Sequence, residues 1–368
     1  MKLLYVSPNS ELGGAERILD ILIRYHNKKD FEIYVLLMRP GPLEKRWSHL
    51  GAKILRVPEF RFRKIGQLIR AQQALKKFLK EHRFDLIHST MAYGHLFAGP
   101  VAWLMNTPEV WFQHGPVGKN LDRWAGFIPT RMNLCNSKFT ENCQAQLGNS
   151  KTSVVYGPVE IPQSNAESVQ KARAEFRKKY LISESEFLCI HVARLDAWKG
   201  QENFIKAIEL ARKINPKLKA LIVGGSALGQ VNFENKLKSL VKEKNMEHII
   251  GFTGFLSSVH DAYVAADVFV HCSTQAEPLG LSILEALAAG CPVIAADRGG
   301  PLEIIKNNES GVLCASENIS EISQAILKIS QETSFQKNLQ RQGFKRAQDF
   351  EASDWVQRIE KSYLSILS

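Results

Sequence analysis

None of the six cysteines, at 135, 143, 189, 272, 291 and 314, forms a C-x-x-C pair. That excludes zinc-ribbon and thioredoxin-type spacing. Most of the six fall in apolar runs, so buried reduced thiols are expected and a disulfide framework is not. Also missing is any apolar run long enough to cross a bilayer. The longest apolar-rich stretch, MAYGHLFAGPVAWLM (91–105), is interrupted by His95, Gly99 and Pro100. It falls short of the ~20 residues a spanning helix needs. The opening MKLLYVSPNS holds too short an apolar run for a signal peptide and reads as a first strand, so a cytoplasmic protein is expected. No short-period repeat is found. Acidic residues are scarce in one half only: residues 1–157 carry 23 Lys/Arg against 12 Asp/Glu, while residues 158–368 carry 25 of each. The whole formal excess of +11 therefore lies in the first part. This asymmetry points to an anionic surface or partner for that part alone.

What is present is a globular composition, 45% apolar and 23% charged, in a chain of 368 residues. That length fits two domains of ordinary size. In the first half, short β-rich runs such as LLYVS (3–7), IYVLLM (33–38), DLIHS (85–89) and VWFQH (110–114) alternate with helical stretches such as 15–25 and 65–81. The segment GPVEIPQSNAES (157–168) breaks the pattern and reads as a linker. The alternation then resumes with FLCIHVA (187–193), KALIVGG (219–225), DVFVHC (267–272) and CPVIAA (291–296). Alternation of this kind predicts two doubly wound α/β domains in tandem, each with a parallel sheet covered by helices. Ligands of such sheets bind at the carboxyl ends of the strands, and the expected site is a cleft between the two domains.

Two segments place ionisable groups at those strand ends. In HVARLDAWKGQENF (191–204), Arg194 and Lys199 follow a buried strand. Taken alone they read better as solvated loop cations, but a guanidinium fork beside an ammonium suits a diphosphate. In EPLGLSILEALAAG (277–290), Glu277 follows the strand DVFVHC, and Pro278 and Gly280 suit a tight entry to a helix that Gly290 ends. Backbone N–H groups near Gly280, Leu281 and Ser282 would then be open to an anion. Glu285 lies ~7.5 Å further along the helix axis.

Together these residues resemble the family 4 glycosyltransferases, retaining enzymes of the GT-B fold, whose signature is two glutamates separated by seven residues. Here it is Glu277-PLGLSIL-Glu285. GGAER (13–17) is similar to the family's glycine-rich first loop, WFQHG (111–115) to the region of its cleft histidine, and GGPLEII (299–305) to the segment after the next strand. The resemblance implies a GT-B architecture of two Rossmann-like domains facing across a cleft. Residues 1–157 would bind the acceptor and 158–350 the nucleotide sugar, and a final helix, 351–368, would cross back to the first domain. It implies that Arg194 and Lys199 hold the donor diphosphate, that Glu285 accepts from the ribose hydroxyls and that Glu277 fixes the transferred sugar. Backbone amides from Leu279 through Gly280, Leu281 and Ser282 would meet sugar and phosphate. Gly13 and Gly14 would let backbone approach the diphosphate, and His114 would face the sugar. The loop GFTGF (251–255) would line the base.

The expected activity is therefore retaining, hexosyltransferase-type transfer from a nucleotide-sugar donor to a glycan or lipid-linked acceptor in surface polysaccharide or glycolipid synthesis. Fixed cations and helix N–H groups would stabilise charge on the departing diphosphate. The chain has no Asp-x-Asp motif, so no cofactor and no essential metal are expected. A sugar-nucleotide 2-epimerase or a sugar phosphorylase of the same fold is an alternative, separable by acceptor-dependent release of nucleoside diphosphate. A nucleic-acid binder is the non-enzymatic alternative suggested by a pI of about 9.3; no nucleic-acid motif supports it, and nucleic acid is not an expected partner. Residues 59–84 contain eight Lys/Arg and two Asp/Glu. Ile65, Leu68, Ile69, Gln72, Leu75, Phe78 and Leu79 follow the spacing of one helix face, expected to pack on the sheet, with Lys76, Lys77 and Lys80 off it. That basic face could dock on anionic lipid, placing the protein on the inner face of the cytoplasmic membrane.

Overall fold

The computed structural model describes residues 1–11, 13–115, 121–146, 151–163, 165–226 and 231–367. Two compact units emerge, one formed by residues 1–158 with 352–368 and the other by residues 159–351.

In unit 1, strands β1 (Lys2–Ser7), β2 (Glu32–Leu37), β3 (Lys53–Arg56), β4 (Leu86–Thr90), β5 (Glu109–Gln113), β6 (Met132–Cys135) and β7 (Thr152–Val154) form a parallel sheet. Between them run α1 (Gly14–Tyr25), α2 (Leu43–His49), α3 (Ile65–His82), α4 (Met91–Leu104), α5 (Leu121–Ala125) and α6 (Lys138–Ala145). The strand order is β3-β2-β1-β4-β5-β6-β7. The inner strands are buried from end to end, as in β4 and β5. Helices cover both faces of such strands, so they read as continuous apolar runs, not as alternating ones.

Helix α3 differs from the sequence expectation. Ala71, Leu75 and Leu79 are buried, but Ile65 and Ile69 are exposed. Residues advance by about 100° along a helix, which puts Ile65 about 80° and Ile69 about 120° round from Leu75. The expected single stripe is thus wider than the arc the sheet covers, and the two isoleucines fall on its uncovered flank.

Unit 2 repeats the scheme. Strands β8 (Phe187–Val192), β9 (Leu218–Val223), β10 (Ile250–Gly254), β11 (Val268–His271), β12 (Val293–Ala296) and β13 (Val312–Cys314) are parallel, in the order β10-β9-β8-β11-β12-β13. Its helices are α7 (Ala166–Lys179), α8 (Gln201–Arg212), α9 (Val231–Glu243), α10 (His260–Ala265), α11 (Leu281–Ala288), α12 (Pro301–Ile304), α13 (Ile319–Gln331) and α14 (Thr333–Gln348). Asn165 caps α7 by accepting from the Ser168 amide at 2.8 Å. From α7, the buried Arg177 reaches into the sheet. Its guanidinium donates to Ala265 O and Asp267 Oδ2, and to Ser183 O and Glu186 O. Order reverses at β8, whose neighbours are β9 and β11. In a doubly wound sheet that reversal opens a crevice at the strands' carboxyl ends.

The last helix, α15 (Ala352–Leu367), belongs to unit 1 and packs on α1. A buried polar chain ties it there. Tyr363 Oη lies 2.6 Å from His88 Nδ1 and 3.2 Å from Tyr5 Oη, while His26 links Tyr5 to Glu360 at 2.5 and 2.8 Å. Among the described residues no helix is long and apolar enough to cross a membrane.

Candidate active site

The loops that leave β8 and β11 flank the reversal in unit 2, and backbone ties hold them together. The Thr274 amide donates to Trp198 O at 2.7 Å, and Cys272 Sγ lies 3.1 Å from Gly200 O. Gly200 has φ +81°, and a Cβ there would overlap the Cys272 carbonyl. Only glycine lets the two loops approach so closely. A third loop, after β12, closes onto the same place. The Gly300 amide donates to Glu277 O at 2.8 Å, and Arg298 donates to Thr274 O at 2.7 Å while pairing with Glu317. A Cβ on Gly300 would overlap the backbone of Pro278 and Leu279.

This bracing brings Lys199 and Glu277 into a direct ion pair although they are 78 residues apart. Glu277 is 7% exposed. Its Oε1 receives three groups: Lys199 Nζ, Ser273 Oγ at 3.1 Å and His271 Nε2 at 3.4 Å. Lys199 also sits over the Trp198 ring, 3.8 Å from its centroid. Burial pushes the Glu277 carboxyl up, but hydrogen bonding from His271 and the Lys199 charge outweigh it and hold the pKa down at about 2. The group is therefore an anion at neutral pH. The resulting stabilisation is fully present above the ordinary value of 4.5 and is lost as pH falls through about 2. The melting-temperature advantage of the native protein over Glu277→Gln should accordingly hold from pH 7 to pH 5 and shrink steadily below ~4. An advantage that stays constant down to pH 3 would mean that Glu277 is not the depressed group.

The other candidates in unit 2 lie around this pair. Arg194 shares the loop of Lys199 but is largely exposed, with Asp196 beside it at 3.2 Å. Gly280, φ +104°, caps α11. Leu279 is buried in the core, so it offers the site its backbone alone. Leu281 and Ser282 form the first turn, whose amides have no acceptor within the helix. Glu285, one turn on, receives Tyr263 Oη at 3.5 Å. At the carboxyl end of β10, Phe255 is exposed and lies against Gly225.

Gly13, Gly14 and His114 are in unit 1, also at the carboxyl edge of its sheet. Gly13 is the N-cap of α1 and Gly14 its first residue. The buried Glu16 carboxylate folds back over this helix start and accepts from the Gly13 and Glu16 amides and from Asn9. Burial outweighs these bonds and raises its pKa. His114 follows β5 with its ring 4.0 Å from that of Phe112. Burial drops its pKa to about 3, so it is a neutral imidazole. Glu16, Ser273 and His271 were not among the sequence candidates. Each lies within six residues of one that was, so the same carboxyl-edge reasoning could have found them.

Two parallel Rossmann-like sheets in one chain are the components of the GT-B fold. The fold superposes on Anabaena HepE in complex with UDP and glucose, with a TM-score of 0.88 at 22% identity over 99% of this chain and 100% of that one. It superposes likewise on a glycosyltransferase from Rickettsia africae, with a TM-score of 0.89 at 19% identity over 100% and 98%. The family model for glycosyltransferase family 4 matches residues 12–162, and that for glycosyl transferases group 1 matches residues 172–346. The chain belongs to the family 4, or group 1, glycosyltransferases. Among its relatives are the putative glycosyltransferase EpsD of Bacillus subtilis, 23% identical over 81% of each chain, and the spore coat protein SA of the same organism, 27% identical over 96% and 94%. A GDP-mannose-dependent phosphatidylinositol monomannoside mannosyltransferase of Mycobacterium tuberculosis is 27% identical over 52% of this chain and 51% of its own length.

Proposed function

We propose that this glycosyltransferase moves a sugar, with retention of configuration and without an essential metal, from a nucleotide-diphosphate donor to a glycan or lipid-linked acceptor. The observation that carries the reading is the Lys199–Glu277 pair at the reversal point of unit 2. It sets a fixed cation beside a permanently ionised carboxylate, next to the open first turn of α11. Three protein groups converge on Glu277 Oε1, so Oε2 is the oxygen available to sugar hydroxyls. Lys199 and Arg194 take the diphosphate, and Lys199 can bridge the leaving phosphate and Glu277 at once. Charge growing on the leaving group then meets cations and amides already in place, with no reorganisation at the moment of transfer. Glu285 accepts from ribose, and Phe255 stacks on the base. In unit 1 the neutral His114 faces the sugar and Gly13 and Gly14 admit the diphosphate.

A nucleoside diphosphate is a good leaving group and needs no strong acid, which suits a Glu277 that stays ionised. Front-face attack, with the departing phosphate oxygen taking the acceptor's proton, uses only these groups. HepE is described with UDP-glucose and the mycobacterial relative with GDP-mannose and a lipid acceptor. A lipid-linked acceptor in surface polysaccharide or glycolipid synthesis, met at the inner face of the cytoplasmic membrane, fits the basic first unit.

The test is a panel of UDP-, GDP- and ADP-sugars screened for thermal stabilisation with excess chelator present. One donor should raise the melting temperature, since a ligand bound only by the native state stabilises it by mass action. Glu285→Gln should weaken that donor's binding by about tenfold, the loss of one to two charge-assisted hydrogen bonds. No stabilisation by any nucleotide sugar, or an unchanged dissociation constant in Glu285→Gln, would remove these assignments. Activity lost to chelation and restored by magnesium or manganese would remove metal independence.

A further inference from the structure

Helix α4 is apolar on every side. Its fourteen residues include no Asp, Glu, Lys or Arg. His95, its one ionisable imidazole, is buried against Glu109 at 2.8 Å. One side of the helix fills the core with Phe97, Ala98, Val101 and Ala102. The other presents Tyr93, Pro100, Trp103 and Leu104, at the i, i+7, i+10, i+11 spacing of a single face, while Leu96 between them is half-buried against Ala92, Trp111 and Ala125. Trp103 is 68% exposed and Leu104 64%. The outer face of a helix on a water-bathed domain is ordinarily polar, and one that is apolar all round is covered by something.

The surface does not stop at α4. On one flank, Gln72 of α3 donates to Phe97 O at 3.1 Å, so that side of α3 faces α4. Ile65 and Ile69 lie within about 60° of Gln72 round the helix and border α4. Phe62 meets Tyr93 edge-on at 5.6 Å. On the other flank, Ile128 O lies 3.3 Å from His95 Nε2, and just before it Trp124 and Phe127 stand exposed with ring centroids 6.2 Å apart. The margin is cationic. Arg61, Arg63, Lys64 and Arg70 are exposed at the α3 end, and Arg131 and Lys151 share a groove with Trp103.

We infer that the outer face of α4, flanked by Ile65 and Ile69 and by Trp124 and Phe127, seats in the headgroup layer of an anionic membrane. Tryptophan and tyrosine belong at that depth, and a rim of lysine and arginine pairs with lipid phosphate. The helix is about 21 Å long, too short to span, and lies in the plane of the surface. A second copy of the chain fits less well, because a two-fold contact would set this cationic margin against itself. The principal contact is thus the apolar face and its margin, with Lys76, Lys77 and Lys80 adding only long-range attraction. The membrane's purpose here rests on the reading of a lipid-linked acceptor. The experiment uses neither donor nor acceptor, so its failure would leave the transferase reading standing.

The full chain is sedimented with phosphatidylcholine vesicles, with and without phosphatidylglycerol, and its tryptophan fluorescence is followed with acyl-brominated lipid. Binding should require the anionic lipid, and the brominated lipid should quench Trp103 and Trp124. The triple variant Trp103→Ser, Leu104→Ser, Phe127→Ser removes exposed side chains, so its melting temperature should be unchanged. Its affinity for the vesicles should fall by about tenfold or more. The triple variant Lys76→Glu, Lys77→Glu, Lys80→Glu should cost less and chiefly change the salt dependence. The inference falls if the triple variant binds as tightly as the native chain, if brominated lipid leaves the fluorescence unchanged, or if anionic vesicles at low salt bind nothing. It also falls if the native chain dimerises and the triple variant does not, since the face is then a contact between copies.

Discussion

Lys199→Ala should lower turnover about a hundredfold, the ~3 kcal/mol that one fixed donor to a developing oxyanion supplies. It should also lower stability, and there it parts from Arg194→Ala. Removing Lys199 strands the Glu277 carboxylate, 7% exposed, without its cation. Breaking a buried pair from one side costs about 3–5 kcal/mol. Arg194 is more than half exposed and pairs with the neighbouring Asp196 at 3.2 Å, so Arg194→Ala should lose comparable turnover with its melting temperature intact. The double variant Lys199→Ala, Glu277→Gln should recover most of the stability and none of the turnover, because it neutralises the stranded charge without restoring a phosphate ligand. Chemical denaturation with single-turnover kinetics on the four proteins separates the two roles. Full turnover in both single variants would end the diphosphate assignment. Stability unchanged in Lys199→Ala would mean that the pair does not brace the loops.

Arg177→Ala should be the most destabilising single change in unit 2, by about 3–5 kcal/mol. The side chain is 1% exposed, and its fork is used on both sides, towards Asp267 and Ala265 O and towards Ser183 O and Glu186 O. Its loss leaves Asp267 and three carbonyls short of donors at once. Lysine offers a point charge in place of a planar fork, so Arg177→Lys should rescue little. Arg173 shares Asp267 at 2.9 Å but stands 28% exposed, and Arg173→Ala should cost only ~1 kcal/mol. Urea unfolding of the three variants tests the order. A loss below ~1 kcal/mol in Arg177→Ala would show that water replaces the guanidinium.

Much of this was legible because parallel strands covered on both faces leave uninterrupted apolar runs. The alternation around LLYVS, DLIHS and FLCIHVA needs no tertiary knowledge. Arg194, Lys199 and Glu277 stand out for a related reason, since ionisable residues in the loop after a buried strand sit where such sheets bind ligands; Glu285 stands out by its spacing from Glu277. The Lys199–Glu277 contact was not legible. It depends on β8 lying beside β11, and strand order is a property of the packed sheet that local pattern does not encode. His271 and Ser273 looked like the end of a strand and the start of a loop, and only the turn back to Glu277 makes them its hydrogen-bond partners. The α4 segment was read correctly as too short and interrupted to span. That one apolar side of it faces outward depends on which neighbours cover it, as does the exposure of Ile65 and Ile69 on α3.

The polar chain from Glu360 through His26, Tyr5 and Tyr363 to His88 also bears on how the molecule is made. Tyr5 and His88 are synthesised early, and their partners on α15 emerge only after all of unit 2. Until then His88 lacks its contact to Tyr363, and Tyr5 has His26 but not Tyr363, beside the bed that Trp355 and Ile359 will fill. Unit 2 is continuous in sequence and can fold as soon as it leaves the ribosome. The amino-terminal unit therefore completes its core only after the whole of unit 2 has been made.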